Sequence, residues 1–256
     1  MAGAAGRLGC ATVDLMDRDS RGRRTLCLGV SARQGLAADF LKLSGLRMNQ
    51  KQVGILLFQD IEVLDFCGPF EVFSVTRLNE EKRRDEASPF NVFLVAETKA
   101  PVVTTGAMKV LPDFDLDGCP SLDILVVPGG WGTRREMRNE RLLGWIAGRS
   151  RQVESLTSVC TGALLLGKAG LLDGKRATTH WRSLDWMQQL FPKTTVEKRL
   201  HFVEDGALFT SAGISAGIDM ALKVVARHFG EAIARATAKH MEYPYPESDA
   251  RRIALV

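Results

Sequence analysis

Two uninterrupted apolar runs, Val53-Gly54-Ile55-Leu56-Leu57-Phe58 and Ile124-Leu125-Val126-Val127, constrain the fold of this chain more than any other feature. Neither shows the polar alternation of a half-exposed strand, so each reads as a strand buried on both faces, the pattern of parallel sheets. Further strands are predicted at Phe90–Ala96, Val153–Val159, Arg176–Thr179 and Leu208–Ser211, with a small hairpin or edge excursion over Val102–Leu111. Between them lie helical segments: Phe70–Leu78 opened by Gly68-Pro69, then Arg141–Ser150, Thr161–Leu172 and Leu184–Leu190. Ile218–Phe229 and Glu231–Met241 close the chain as helices. Strands alternating with helices of this length form βαβ units, and hence an α/β fold: a doubly wound, mostly parallel sheet with helices on both faces.

Residues 1–47 do not share that rhythm. They are rich in Ala, Gly and Arg and keep neither a 3.6 nor a 2 period. A second methionine, Met48, stands just before the first strand. We therefore expect residues 1–47 to be a disordered or artefactual N-terminal extension and residues 48–256 to be the α/β domain. The extension also carries the whole formal charge of +4, eight basic against four acidic residues. The remainder is balanced and offers no basic stripe for nucleic-acid phosphates, so no nucleic-acid partner is expected. No apolar run approaches the ~20 residues that cross a bilayer, so no membrane partner is expected either. Five cysteines, Cys10, Cys27, Cys67, Cys119 and Cys160, match neither a disulfide framework nor a paired zinc site, which points to a reducing, cytoplasmic compartment. The four histidines show no ligand spacing and no Gly-x-Gly-x-x-Gly follows the first strand, so neither a metal nor a dinucleotide cofactor is indicated.

Ligands of open parallel sheets bind beyond the carboxyl ends of the strands, and here those positions are rich in chemistry. Ser158-Val159-Cys160-Thr161-Gly162-Ala163 passes from strand to helix with no loop, the pattern of a nucleophile elbow that projects Cys160 over the rim. The free N–H groups of the following helix favour an anion, so the thiol is expected to be more acidic than a free one. Pro128-Gly129-Gly130 ends another strand. The N–H groups of Gly129 and Gly130, with that of Thr161, are candidates for an oxyanion-type pocket beside the sulfur. Asp65, set among apolar neighbours, either caps a helix or is buried with a raised pKa, from which it can donate a proton. Asp60 and Glu62 are expected to be solvated. His180, after the Arg176–Thr179 strand, either orients the thiol, binds substrate or satisfies backbone groups.

These motifs resemble the PfpI-like superfamily, the flavodoxin-like relatives of class I glutamine amidotransferases, and within it the isonitrile hydratase branch. The resemblance runs from Val53 to Tyr245. It is carried by the motifs above and by Leu64-Asp65-Phe66-Cys67-Gly68-Pro69, Gly170-Leu171-Leu172-Asp173-Gly174, Thr178-Thr179-His180-Trp181 and Ala216-Gly217-Ile218-Asp219. It implies a flavodoxin-like fold, a nucleophilic Cys160, an acidic Asp65 and a supporting Thr161. It also implies a homodimer acting on a small molecule with no metal or organic cofactor, and hydration of an isonitrile to an N-substituted formamide. The sensor half of AraC-type regulators and the glyoxalase or protein-repair enzymes of the superfamily share these motifs and supply the alternative functions. Two segments depart from the hydratase pattern and are expected to flank the pocket: Gly132–Asn139, with Thr133-Arg134-Arg135, and the charged insert Asn79–Ser88.

Overall fold

The computed structural model describes residues 17–18, 24–25 and 50–253. The chain divides into two compact units, Met1–Met48 and Asn49–Val256. In the first, Asp17–Arg18 pairs antiparallel with Arg24–Thr25. Apart from that ladder, the expectation of an N-terminal extension over 1–47, and with it Cys10 and Cys27, lies outside the described residues.

The second unit is built on a seven-stranded sheet. In chain order its strands are β1 (Lys51–Leu57), β2 (Phe90–Ala96), β3 (Phe114–Asp115), β4 (Ile124–Val127), β5 (Ser155–Val159), β6 (Phe202–Asp205) and β7 (Leu208–Ser211). Their order across the sheet is β6-β7-β5-β4-β1-β2-β3, and every neighbouring pair is parallel except β6 with β7. Leaving out the edge strands β3 and β6, the order is that of a flavodoxin-like sheet, with its topological switch between β1 and β4. Every residue of β4, β5 and β7 is buried, so both faces of these strands are covered. The covering helices are α1 (Val63–Val75), α2 (Thr133–Glu136), α3 (Glu140–Ser150), α4 (Gly162–Lys168), α5 (Leu184–Leu190), α6 (Ala216–Phe229) and α7 (Glu231–His240). α1, α6 and α7 pack on one another, as do α2 and α3 with α4. The doubly wound α/β architecture expected from the sequence is therefore present.

Four local expectations are corrected. The first helix begins at Val63, not Phe70, and runs through Pro69. A proline there removes only the bond to the carbonyl of Asp65, and packing against α6, where Gly68 faces Ile218, holds the helix. The Arg176–Thr179 segment is not a strand of the main sheet. Arg176–Ala177 pairs with Thr195–Val196 in a separate two-stranded ladder. Part of the loop expected over Gly132–Asn139 is the short helix α2. The insert Asn79–Ser88 does not flank the strand ends that carry the candidate residues. The Lys51 N–H donates to the Pro89 carbonyl (2.8 Å) and the Gln50 amide to the Ser88 carbonyl (2.6 Å), which places its end at the amino-terminal start of β1 and β2. The hairpin expected over Val102–Leu111 is present, as Val102–Val103 against Lys109–Val110.

The C-terminal residues strap the sheet. The His201 N–H donates to the Asp249 carbonyl (2.6 Å) and the Arg251 N–H to the Arg199 carbonyl (2.7 Å). Arg251 also donates through Nη2 to Thr178 Oγ1 (2.9 Å) and to the Thr179 carbonyl (3.2 Å). Beside it Arg252 reaches the fully buried Asp219 of α6 (2.6 Å), which His201 and Tyr243 also contact.

Candidate active site

Cys160 occupies the turn between β5 and α4 with φ of 56°, the left-handed region that is costly for a residue with a Cβ. Its backbone is held on both sides: its N–H donates to the carbonyls of Ser211 and Ala212, and its carbonyl accepts from Thr179 Oγ1 (2.6 Å). The side chain is buried, 6% exposed, at the base of a pocket of about 370 Å³.

Asp65 lies in the first turn of α1, fully buried. It does not cap that helix. Oδ2 accepts from the Gly129 N–H (2.9 Å), the carboxyl lies beside the Cys160 thiol, and Oδ1 has no partner. Burial outweighs the hydrogen bond from Gly129 and pushes Asp65 up to about 8, so at neutral pH it is a carboxylic acid. The thiol behaves differently from the sequence expectation. Burial first and the Asp65 charge second hold Cys160 well above the ordinary thiol range, against hydrogen bonds from Thr161 and the Ile214 N–H that favour thiolate. The reason is physical: α4 is short and buried from Gly162 to Leu166, and two negative charges cannot share one dry site without cost. The resting pair is a neutral acid beside a neutral thiol.

The two glycines after β4 lie against this pair without offering it free donors. The Gly129 N–H is taken by Asp65, and the Gly130 N–H donates to Thr161 Oγ1 (3.0 Å). The oxyanion role expected of them is thus not open in this arrangement; the backbone N–H groups facing the sulfur are those of Thr161 and Ile214. What the glycines supply is space. A Cβ on Gly129 would sit 2.6 Å from Thr161 N and Oγ1 and 2.9 Å from Asp65 Oδ2, and Gly130 adopts φ of 132° while its carbonyl accepts from Thr133 Oγ1 (2.7 Å). The antiparallel bridge Ile61–Gly130 and the bond from the Glu62 N–H to the Gly129 carbonyl (3.0 Å) tie this turn to the loop after β1.

His180 lines the same pocket although it follows no strand of the main sheet. Its Nδ1 accepts from the Arg182 N–H (3.3 Å), and burial together with Arg182, Arg251 and Arg134 lowers its pKa, leaving a neutral imidazole. Gly213 makes room for it, since a Cβ there would lie 2.1 Å from His180 Cδ2. The structure thus brings Cys160, Asp65, Thr161, Gly129, Gly130 and His180 into one locus. Asp60 is exposed and paired with Arg135 (3.2 Å), as expected, whereas Glu62 is half-buried and lines the pocket. Sequence reasoning missed Ile214, with φ of 55° and its N–H on the sulfur, and the contribution of Arg182 and Trp186 to the pocket; Arg134, in the Gly132–Asn139 segment expected to flank the pocket, does line it beside Trp131. A glycine followed by Ile just past a buried strand was the available signal for the first. Among the described residues no three His, Cys, Asp or Glu side chains cluster as metal ligands, and no helix is long and apolar enough to cross a membrane.

Comparison with known proteins places this geometry in a family. The chain is 37% identical over 77% of its length to isonitrile hydratase of Pseudomonas putida, covering 81% of that protein. It is 34% identical over 60% of its length to the HTH-type transcriptional regulator GbdR of Pseudomonas aeruginosa, of which it spans only 42%. Among solved structures, a ThiJ/PfpI family protein from Pseudomonas syringae superposes with a TM-score of 0.67 at 29% identity, covering 79% of each chain. The model of the DJ-1/PfpI family matches residues 51–227. This chain belongs to the DJ-1/PfpI family.

Proposed function

We propose that the protein is a cysteine-dependent hydro-lyase that adds water to an isonitrile, working as a homodimer on a small molecule in the cytoplasm. The observation that carries the proposal is the buried pair at the pocket base, a neutral carboxylic acid beside a thiol; the likeness to isonitrile hydratase supplies the substrate class. An isonitrile carbon needs both a nucleophile and a proton, and the pair holds both. The Cys160 sulfur bonds to the terminal carbon as Asp65 gives that carbon its proton, and Asp65 recovers the proton of the thiol. The N–H groups of Thr161 and Ile214 stabilise charge on the sulfur as the S–H bond breaks. The thioimidate then takes up water: its oxygen bonds to carbon, one proton goes to nitrogen, the C–S bond breaks and the second proton returns to sulfur. The product is an N-substituted formamide.

A second reading rests on the likeness to GbdR: the same pocket would bind a ligand without turnover, as a sensor domain. The deciding measurement is formamide formation from cyclohexyl and phenyl isonitrile, followed by NMR, for the wild type and Cys160→Ala. Formamide formed by the wild type and lost in the variant supports the hydratase. No formamide from the wild type, with a melting temperature raised by the isonitrile, overturns it in favour of the sensor.

A further inference from the structure

Resting on the hydratase reading, we propose that the pocket mouth selects substrates bearing a carboxylate on a flat apolar body, held by Arg134 and Arg182 between indole rings. The departure from the hydratase pattern at Thr133-Arg134-Arg135 puts Arg134 at the pocket. Its guanidinium lies 4.4 Å from the centroid of Trp131 and 5.5 Å from that of Trp186. Arg182, which also lines the pocket, lies 4.8 Å from the centroid of Trp181. Among the described residues neither guanidinium has an ion pair or a side-chain hydrogen-bond partner, whereas seven other arginines are ion-paired. Stacking fixes each planar group and leaves its N–H fork free, the arrangement that receives a carboxylate.

The charge at the mouth is set for a monoanion. Arg134 and Arg182 contribute two positive charges, Glu62 one negative, and the neutral His180 none. His180 feels the same charges: burial first, and then Arg182, Arg251 and Arg134, lower its pKa. A dianionic phosphate would exceed the net charge and face Glu62. The indole of Trp131 is 64% exposed, a large apolar surface in want of a cover, and a pocket of about 370 Å³ is at the small end of ligand sites, sized for a single substituted ring. Ring and carboxylate would lie at the mouth, with the reacting carbon directed down to Cys160.

The test compares 4-isocyanobenzoate with its methyl ester, which share the ring and the reacting group. Turnover is measured on the wild type, and equilibrium binding on Cys160→Ala by quenching of tryptophan fluorescence. We expect the acid to be preferred about 10-fold in kcat/KM and in binding at low salt, through KM rather than kcat, and this preference to shrink in 0.5 M salt. Arg134→Gln combined with Arg182→Gln is expected to bring the ratio to about one, and the two lysine replacements to keep part of it. An acid-to-ester ratio of one or less in the wild type, or one that salt and the double variant leave unchanged, overturns the carboxylate site. If neither compound yields formamide, the hydratase reading falls; the binding ratio on Cys160→Ala then decides the anion site by the same criterion.

Discussion

Asp65→Asn pulls apart two properties that the wild type holds together, proton supply and the cost of burying an acid. Burial raises Asp65 from 3.8 to about 8. Between those values the unfolded carboxyl has lost its proton while the folded one keeps it. The unfolded state then binds fewer protons, so stability falls as pH rises, by ~1.4 kcal/mol per pH unit and to a ceiling of ~6 kcal/mol at pH 8. Asparagine is nearly isosteric, still accepts from Gly129 and does not titrate. Near pH 4 the two proteins are expected to melt together. By pH 7.5 the variant is expected to be the more stable by at least ~2 kcal/mol, which is ~4–8 °C in a domain of this size. Formamide formation is expected to move the other way, down ~10²- to 10⁴-fold, because the positioned acid is gone. The thiol provides a third readout: the Asp65 charge is the second cause of its raised pKa, so the pH midpoint for iodoacetamide labelling of Cys160 is expected to fall in the variant. Melting curves of both proteins from pH 4 to 8.5 test the reasoning. A stability difference that does not grow with pH refutes the buried acid, and turnover retained by the variant refutes its role as proton donor.

Gly129→Ala places a methyl 2.6 Å from Thr161 and 2.9 Å from Asp65; overpacking of ~1–3 kcal/mol and loss of formamide formation are expected, and a variant with wild-type turnover would show that this close approach is dispensable. Arg252→Ala leaves the buried Asp219 with only His201 and Tyr243, so a loss of ~2 kcal/mol is expected for one charge-assisted bond to a buried carboxylate, read as a fall of several degrees in melting temperature. A chain begun at Met48 keeps every strand of the seven-stranded sheet and every residue of the pocket; we expect it to match the full chain in melting temperature and turnover, and a drop in either would show that residues 1–47 contribute.

What could be read from the sequence followed from continuous apolar runs. β1 and β4 were visible because strands buried on both faces need no polar alternation, and Cys160 was visible because a strand runs into a helix with no loop. The edge strand β3, of two residues, is too short for any period. α1 was started too late because a local rule, proline as helix opener, yielded to packing of α1 on α6. Arg176–Thr179 carries a strand's composition, but only Arg176–Ala177 pairs, and not with the main sheet. The acidity of the thiol was misjudged for the same kind of reason. The helix N-terminus is a local effect, whereas burial and the Asp65 charge arrive from the tertiary fold. The Gly129 and Gly130 amides were correctly located, but their partners, Asp65 and Thr161, come from other strand ends and leave no mark in the local sequence.

The cost of this site is concentrated where the chain is held hardest. Asp60, Cys160 and Ile214 all have positive φ without being glycine, and they sit in the loops after β1, β5 and β7, along one edge of the sheet. Each such residue costs on the order of 1–3 kcal/mol and persists only where its surroundings leave no alternative. Here the surroundings are specific. The Asp60 carbonyl accepts from the Gly132 N–H (3.1 Å), the Cys160 N–H is shared between the carbonyls of Ser211 and Ala212 at the end of β7, and Thr179 Oγ1 fixes the Cys160 carbonyl. Arg251 in turn holds the Thr179 carbonyl (3.2 Å), and Arg252 holds α6 just beyond Ile214 through Asp219. The C-terminal strap therefore bears on the same backbone that aims the sulfur and the Ile214 N–H at each other. Loosening it is expected to relax the strained turns before it disturbs the sheet, which makes turnover of Arg252→Ala more sensitive to temperature than its melting curve.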